Sequence, residues 1–156
     1  MSTPELNKPA PAFDLPATGE RTISLASLKG SKVVLYFYPR DATPGCTTES
    51  QNFRDAIEAF TAAGAVVLGV SQDSIKSHEK FKAKQEMPFE LLSDEEGGMC
   101  RDYDVIKLKK MYGKEFEGIE RSTFLIDEKG VLRQEWRKVK VPGHVDEVLA
   151  AVQALD

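Results

Sequence analysis

At 156 residues, 41% of them hydrophobic, the chain can enclose one sizeable core, and a single domain over residues 1–156 is expected. Its 21 basic and 25 acidic residues are interspersed and leave a formal net charge of −4 without a block of five like charges, which argues against nucleic acid or an anionic membrane as partner. No apolar run approaches the roughly 20 residues of a bilayer span, Met1-Ser-Thr-Pro-Glu-Leu6 lacks the pattern of a signal peptide, and two cysteines, Cys46 and Cys100, are too few for a disulfide framework; a cytoplasmic location is expected.

The first strong element is Val33-Val-Leu-Tyr-Phe-Tyr38, a continuous β-branched and aromatic run ended by Pro39, which predicts a buried central strand. After a polar loop, Phe53, Ala56, Ile57 and Phe60 repeat at helical spacing, with Gly64 as the stop. Ala65-Val-Val-Leu-Gly-Val70 is strand-like, and Asp73 or Ser74 caps a second helix running to about Gln85. The succession strand, helix, strand, helix implies right-handed crossovers and parallel pairing. Phe89-Glu-Leu-Leu92 is a short strand candidate, and Glu95 to Tyr103 is weakly helical, interrupted by Gly97 and Gly98. Ser122 to Asp127 and Val131 to Trp136 flank a polar turn and predict an antiparallel hairpin, which makes the sheet mixed. Val145, Val148, Leu149 and Val152 give a final helix its apolar stripe.

Most of the functional information lies in Tyr38-Pro-Arg-Asp-Ala-Thr-Pro-Gly-Cys-Thr-Thr-Glu49. Cys46 falls near the first turn of the following helix, where unpaired N–H groups and the positive end of the helix dipole favour a thiolate. With a cationic neighbour such a site brings a cysteine pKa from about 8.5 into roughly the 3.5–7.5 range. The alternative is a small buried hydrophobe, the common role of a free cysteine. On position alone the two stand about even; Pro44 and Gly45, which read as a turn, and the hydroxyls of Thr43, Thr47 and Thr48 favour chemistry.

Pro39-x-x-x-Thr43-x-x-Cys46 resembles the active-site signature of the peroxiredoxins, and the fuller Tyr-Pro-x-Asp-x-Thr-Pro-Gly-Cys-Thr-x-Glu is similar to their bacterioferritin-comigratory, or peroxiredoxin Q, branch. Further similarity runs through Pro11-Ala-Phe-Asp-Leu15, Leu68-Gly-Val-Ser71, Ser77-His-Glu-Lys-Phe81, Leu92-Ser-Asp94, Glu120-Arg-Ser-Thr-Phe-Leu-Ile-Asp127 and Val139-Lys-Val-Pro-Gly-His144. The resemblance implies an α/β, thioredoxin-like fold of the peroxiredoxin type, a mixed central sheet flanked by helices and extended at the N-terminus. It implies a thiol peroxidase in which Cys46 attacks the peroxide and becomes a sulfenic acid. Arg121 then supplies charge and hydrogen bonds to the oxygens, Thr43 orients them, and Pro39, lacking an N–H, walls the pocket against water. Glu49 is expected either to brace Arg121 or another basic group, or to be a solvated first-turn residue.

The pattern departs from its relatives at the resolving cysteine. One usual position, five residues after Cys46, is Gln51; the other, in the next helix, is Lys82. Cys100 is expected to be structural, with resolution of the sulfenic acid by Cys100 as an alternative, so one-cysteine catalysis with an outside thiol is favoured, supplied by thioredoxin or by glutathione with glutaredoxin. Disulfide oxidoreduction lacks its Cys-x-x-Cys, and a Cys-His hydrolase lacks a recognisable histidine motif. A non-catalytic redox-sensing module remains the rival from another class. His78 and His144, with no carboxylate or cysteine at metal-ligand spacing, are expected to be surface or structural, and Tyr36, Phe37, Tyr38 and Trp136 to be core. No metal or cofactor is expected, there being no phosphate-cradling glycine loop, and the protein is expected to be monomeric.

Overall fold

Residues 4–155 are described in the structure, a computed structural model; the first three residues of the opening segment lie outside them. Two short strands, β1 (Asp14–Ala17) and β2 (Arg21–Ser24), form an N-terminal hairpin. Sequence patterning does not announce it, because Pro16 interrupts the first strand and only Ala17 and Ile23 are buried. A 3-10 turn at Ala26–Leu28 leads into β3 (Lys32–Phe37), followed by α1 (Pro44–Asp55), α2 (Ile57–Ala62), β4 (Ala65–Ser71) and α3 (Ile75–Gln85). Then come β5 (Leu91–Ser93), α4 (Gly98–Asp102), the hairpin β6 (Ile106–Met111) and β7 (Lys114–Ile119), the hairpin β8 (Ser122–Ile126) and β9 (Leu132–Trp136), and α5 (His144–Ala154).

Seven strands form a mixed sheet in the order β2-β1-β5-β4-β3-β8-β9, with β3, β4 and β5 parallel and the remaining pairs antiparallel. Val33 to Tyr38 are all buried, as a central strand covered on both faces requires. Their alternation divides the core. Val33, Leu35 and Phe37 face a cluster containing Phe13, Tyr103, Phe124 and, from α4, Met99 and Cys100. Val34, Tyr36 and Tyr38 face the other, with Cys46 and Phe53 of α1, Phe60 of α2, Phe81 of α3 and the α5 stripe Val145, Val148 and Val152.

Several expected elements change shape. The helix through Phe53 and Phe60 breaks at Ala56 (φ −100°, ψ 4°), whose N–H is shared between Asn52 O and Phe53 O at 3.2 Å each. Both phenylalanines remain on the buried stripe. β5 starts at Leu91, two residues later than the apolar run suggests, because its parallel pairing begins opposite Gly69. The weak helix shrinks to five residues, held at its start by Asp94, whose carboxylate accepts from the N–H groups of Met99 (3.3 Å) and Cys100 (2.7 Å). The β6–β7 hairpin was not foreseen, since lysines and glutamates mask its alternation; its turn places Tyr112 and Gly113 at positive φ (54° and 75°).

One glycine fixes the packing under the site. A Cβ on Gly69 of β4 would lie 2.7 Å from Leu91 Cδ2 and 2.9 Å from the Tyr36 ring. Tyr36 in turn stacks on Phe53 at 4.5 Å and shares a 2.9 Å hydrogen bond with Ser50, so it has no free direction in which to retreat. Gly69→Ala is therefore expected to lower the unfolding free energy by about 1–3 kcal/mol, seen as a lower urea midpoint at unchanged slope.

Candidate active site

Cys46 stands at the carboxyl end of β3, the end at which open α/β sheets usually form ligand sites. Thr43 is the N-cap of α1 and Pro44 its first residue, a position where the missing N–H costs nothing. The first helical bond runs from Thr47 N–H to Thr43 O at 2.9 Å, so the N–H groups of Gly45 and Cys46 lie ahead of the ladder. The Thr43 hydroxyl donates to Arg40 O at 2.9 Å and makes no capping bond to the helix. With its proton committed, that oxygen is left as an acceptor.

Arg121, in the turn between β7 and β8, reaches across to this helix start. Its Nη2 donates to Cys46 Sγ at 3.3 Å and its Nη1 to Glu49 Oε1 at 2.6 Å. Gly45 leaves room for the approach, since a Cβ there would be 3.1 Å from Nη2. Burial works against the guanidinium charge, but the Glu49 carboxylate and the Cys46 sulfur outweigh it and raise the Arg121 pKa. Glu49 is fully buried, and its Oε2 has no hydrogen-bond partner among the described residues. Burial pushes its pKa up to about 7 against the opposing pull of Arg121. The pairing foreseen for Glu49 as a brace is thus present, and the solvated alternative is not. A buried sulfur, a fixed bidentate cation and free N–H groups at a helix start form a site able to hold negative charge on sulfur and oxygen.

A model of the AhpC/TSA family matches residues 6–135 of the chain. The chain is a peroxiredoxin of the AhpC/TSA family. Peroxiredoxin Bcp of Bacillus subtilis is 52% identical over 151 residues, covering 97% of this chain and 96% of the relative, and Peroxiredoxin Bcp of Xanthomonas campestris is 52% identical over 156 residues, covering 99% and 98%. The crystal structure of a Xylella fastidiosa PrxQ mutant superposes with a TM-score of 0.93 at 42% identity, over 99% of this chain and 98% of that one. Xanthomonas campestris bacterioferritin comigratory protein, whose structures were described in terms of alkyl peroxide reduction, gives a TM-score of 0.87 at 51% identity over 91% and 90%. The thioredoxin-like fold and the branch expected from the sequence are those of these relatives. The chain is accordingly a thiol-dependent peroxidase, with a hydroperoxide as substrate and a thiol as reductant.

Pro39, which the signature places beside the cysteine, follows β3 and is exposed. Cys100 is buried in the core cluster on the opposite face of the sheet from Cys46, and burial, followed by the charge of Asp94, drives its pKa far above that of an ordinary thiol. Gln51 donates to Gln85 Oε1 at 2.8 Å, and Lys82 pairs with Glu90. Of the surface and structural readings expected for the two histidines, the structural one fits: both are buried, and His78 Nδ1 lies 2.7 Å from the carboxylate oxygen Asp41 Oδ2. Asp41 and His78 are separated by 37 positions, which is why no local spacing reveals that pair. His144 Nε2 is 2.8 Å from Thr123 Oγ1; burial, then the charge of Arg121, lowers its pKa to about 4. Sequence reasoning also passed over Lys109 of β6, half-buried and close enough that Arg121, Cys46 and Glu120 all act on its charge; burial is the main cause lowering its pKa. Among the described residues no helix is long and apolar enough to cross a membrane.

Proposed function

We propose that this chain reduces hydrogen peroxide and organic hydroperoxides through Cys46 as a one-cysteine enzyme recharged by an outside thiol. The observation that carries this is the 3.3 Å contact of Arg121 Nη2 with Cys46 Sγ, made by a guanidinium that Glu49 holds from its other side. In the proposed step the Cys46 thiolate attacks the terminal oxygen of ROOH. The S–O bond forms as the O–O bond breaks, sulfur is oxidised by two electrons to S–OH, and RO⁻ leaves to take a proton from water. Arg121 and the N–H groups at the start of α1 stabilise the charge that moves onto the oxygens. Thr43 accepts the hydrogen of the peroxide O–H, and Pro39 borders the pocket without adding a donor. A groove of about 500 Å³ beside this turn, lined by Pro44, Gly45, Thr48, Asn52, Val141 and Pro142, gives room for the organic part of a larger hydroperoxide.

The sulfenic acid then condenses with an external thiol, releasing water, and a second thiol frees Cys46 from the mixed disulfide. Internal resolution is disfavoured because Cys100 faces the other side of the sheet, with β3 between the two core clusters. Thioredoxin, or glutathione with glutaredoxin, is the proposed reductant for a cytoplasmic, monomeric, single-domain protein. Treatment with one equivalent of hydroperoxide, a sulfenic-acid trap and intact mass measurement tests the reading. A trapped adduct on Cys46, formed much faster than on free cysteine, is expected. A Cys46–Cys100 disulfide would overturn the one-cysteine scheme, and reaction no faster than free cysteine would overturn the role of Cys46.

A further inference from the structure

Between Pro39 and Thr43 the chain runs through a buried polar cluster that the peroxide chemistry does not itself use. Asp41 Oδ1 accepts from Tyr38 OH at 2.6 Å, and its Oδ2 accepts from Ser77 Oγ at 2.8 Å and from His78 Nδ1 at 2.7 Å. The Asp41 N–H donates to Asp73 Oδ2 at 2.8 Å, and the same oxygen accepts from Ser71 Oγ at 2.5 Å. His78 Nε2 is 2.9 Å from Leu92 O. Both ring nitrogens of His78 thus lie within hydrogen-bond distance of an oxygen, one on Asp41 and one on the backbone of β5. Asp41, Asp73 and His78 place ligand-type atoms within 4.8 Å of one another, but both Asp41 oxygens and Asp73 Oδ2 already accept from protein donors, so the cluster reads as a hydrogen-bonded clamp.

What the clamp restrains is the next residue. Ala42 has φ 64°, a left-handed conformation that disfavours any side chain, and it lies between Asp41 and Thr43, the N-cap of the helix bearing Cys46. An alanine stays there only where its surroundings hold it. We propose that Asp41 is a positioning residue for the peroxide reaction. Through His78, Ser77 and Tyr38 on its side chain and Asp73 on its backbone, it anchors the loop to α3 and to the turn between β4 and α3, and so fixes the Thr43 hydroxyl against the oxygens that Cys46 attacks. The inference rests on reading Cys46 as the peroxide-reactive nucleophile.

The test compares two reactions of the same thiol in the full-length reduced protein. Asp41→Asn keeps the shape but turns an NH2 toward one of the three donors. It is expected to slow the reaction of Cys46 with hydroperoxide at least ten-fold while changing its alkylation by iodoacetamide, which needs no oriented oxygens, less than three-fold. Adding Ala42→Gly, which relaxes the left-handed turn, is expected to restore about three-fold of the lost rate, the order of relief available from one such residue. Should Asp41→Asn fail to fold, Ser77→Ala removes one donor and leaves the carboxylate, with a two- to five-fold slowing of the peroxide reaction alone expected. An unchanged peroxide rate, or equal losses in both reactions, overturns the positioning role. A wild-type thiol no faster than free cysteine would instead overturn the reading of Cys46 on which it rests.

Discussion

Arg121→Met is expected to slow the reaction of Cys46 with hydroperoxide by about 10²–10³, the usual consequence of removing a charge-stabilising donor from a preorganised site. The same substitution strips Glu49 of its hydrogen-bonded partner, and Glu49 has no exposure to water. Breaking a buried ion pair from one side ordinarily costs about 3–5 kcal/mol, most of it from the charge left behind. Two effects are therefore mixed in the single variant, and a second substitution separates them. In Arg121→Met with Glu49→Met no charge is stranded, so the urea midpoint is expected to return toward that of the wild type while the peroxide rate stays low. Stopped-flow oxidation and urea unfolding on the same preparations give both numbers. A double variant that regains its rate along with its stability would show that Arg121 acts on Cys46 only through the fold.

The second large effect concerns pH. Glu49 titrates at about 7 in the folded chain because burial opposes its charge, against an ordinary 4.5. Between those values the folded state binds more protons than the unfolded one, so Glu49 makes stability fall as pH rises through the window, by up to ~3 kcal/mol. His144 acts in the opposite direction. Its pKa is lowered to about 4 from 6.5, so the unfolded state binds more protons between those values and stability rises with pH. The two windows nearly coincide, and in the wild type the slopes largely cancel. Glu49→Gln is expected to leave the His144 slope exposed: its urea stability climbs between pH 4.5 and pH 7, and its advantage over the wild type is greater at pH 8 than at pH 4.5. A gap between the two proteins that does not vary with pH would show that Glu49 is ionised throughout.

How far the sequence carries depends on whether a feature is local. The run Val33 to Tyr38, the β8–β9 hairpin and the α5 stripe are repeats within a few residues of one another, and they appear where periodicity puts them. The position of the cysteine near the start of α1 is legible for the same reason, although Pro44 and Gly45, which read as a turn, are the first two residues of the helix itself. Arg121 is 75 positions from Cys46 and reads as an ordinary polar residue until the family pattern singles it out. The Asp41–His78 contact and the proximity of Lys109 to the sulfur are likewise products of tertiary packing. β1, β2, β6 and β7 escaped because their exposed faces carry charged residues and proline, which blurs the period-two signal on which recognition of a strand depends.

The sheet that separates Cys46 from Cys100 also sets the redox capacity of the molecule. Under the proposed scheme each chain stores one two-electron oxidation, at one sulfur, and has no internal disulfide in which to park it. When peroxide outruns the supply of outside thiol, the waiting sulfenate has only more peroxide to meet, and it climbs to sulfinic acid. Such a protein behaves less like a self-resetting circuit than like a fuse, whose rating is the local concentration of its reductant.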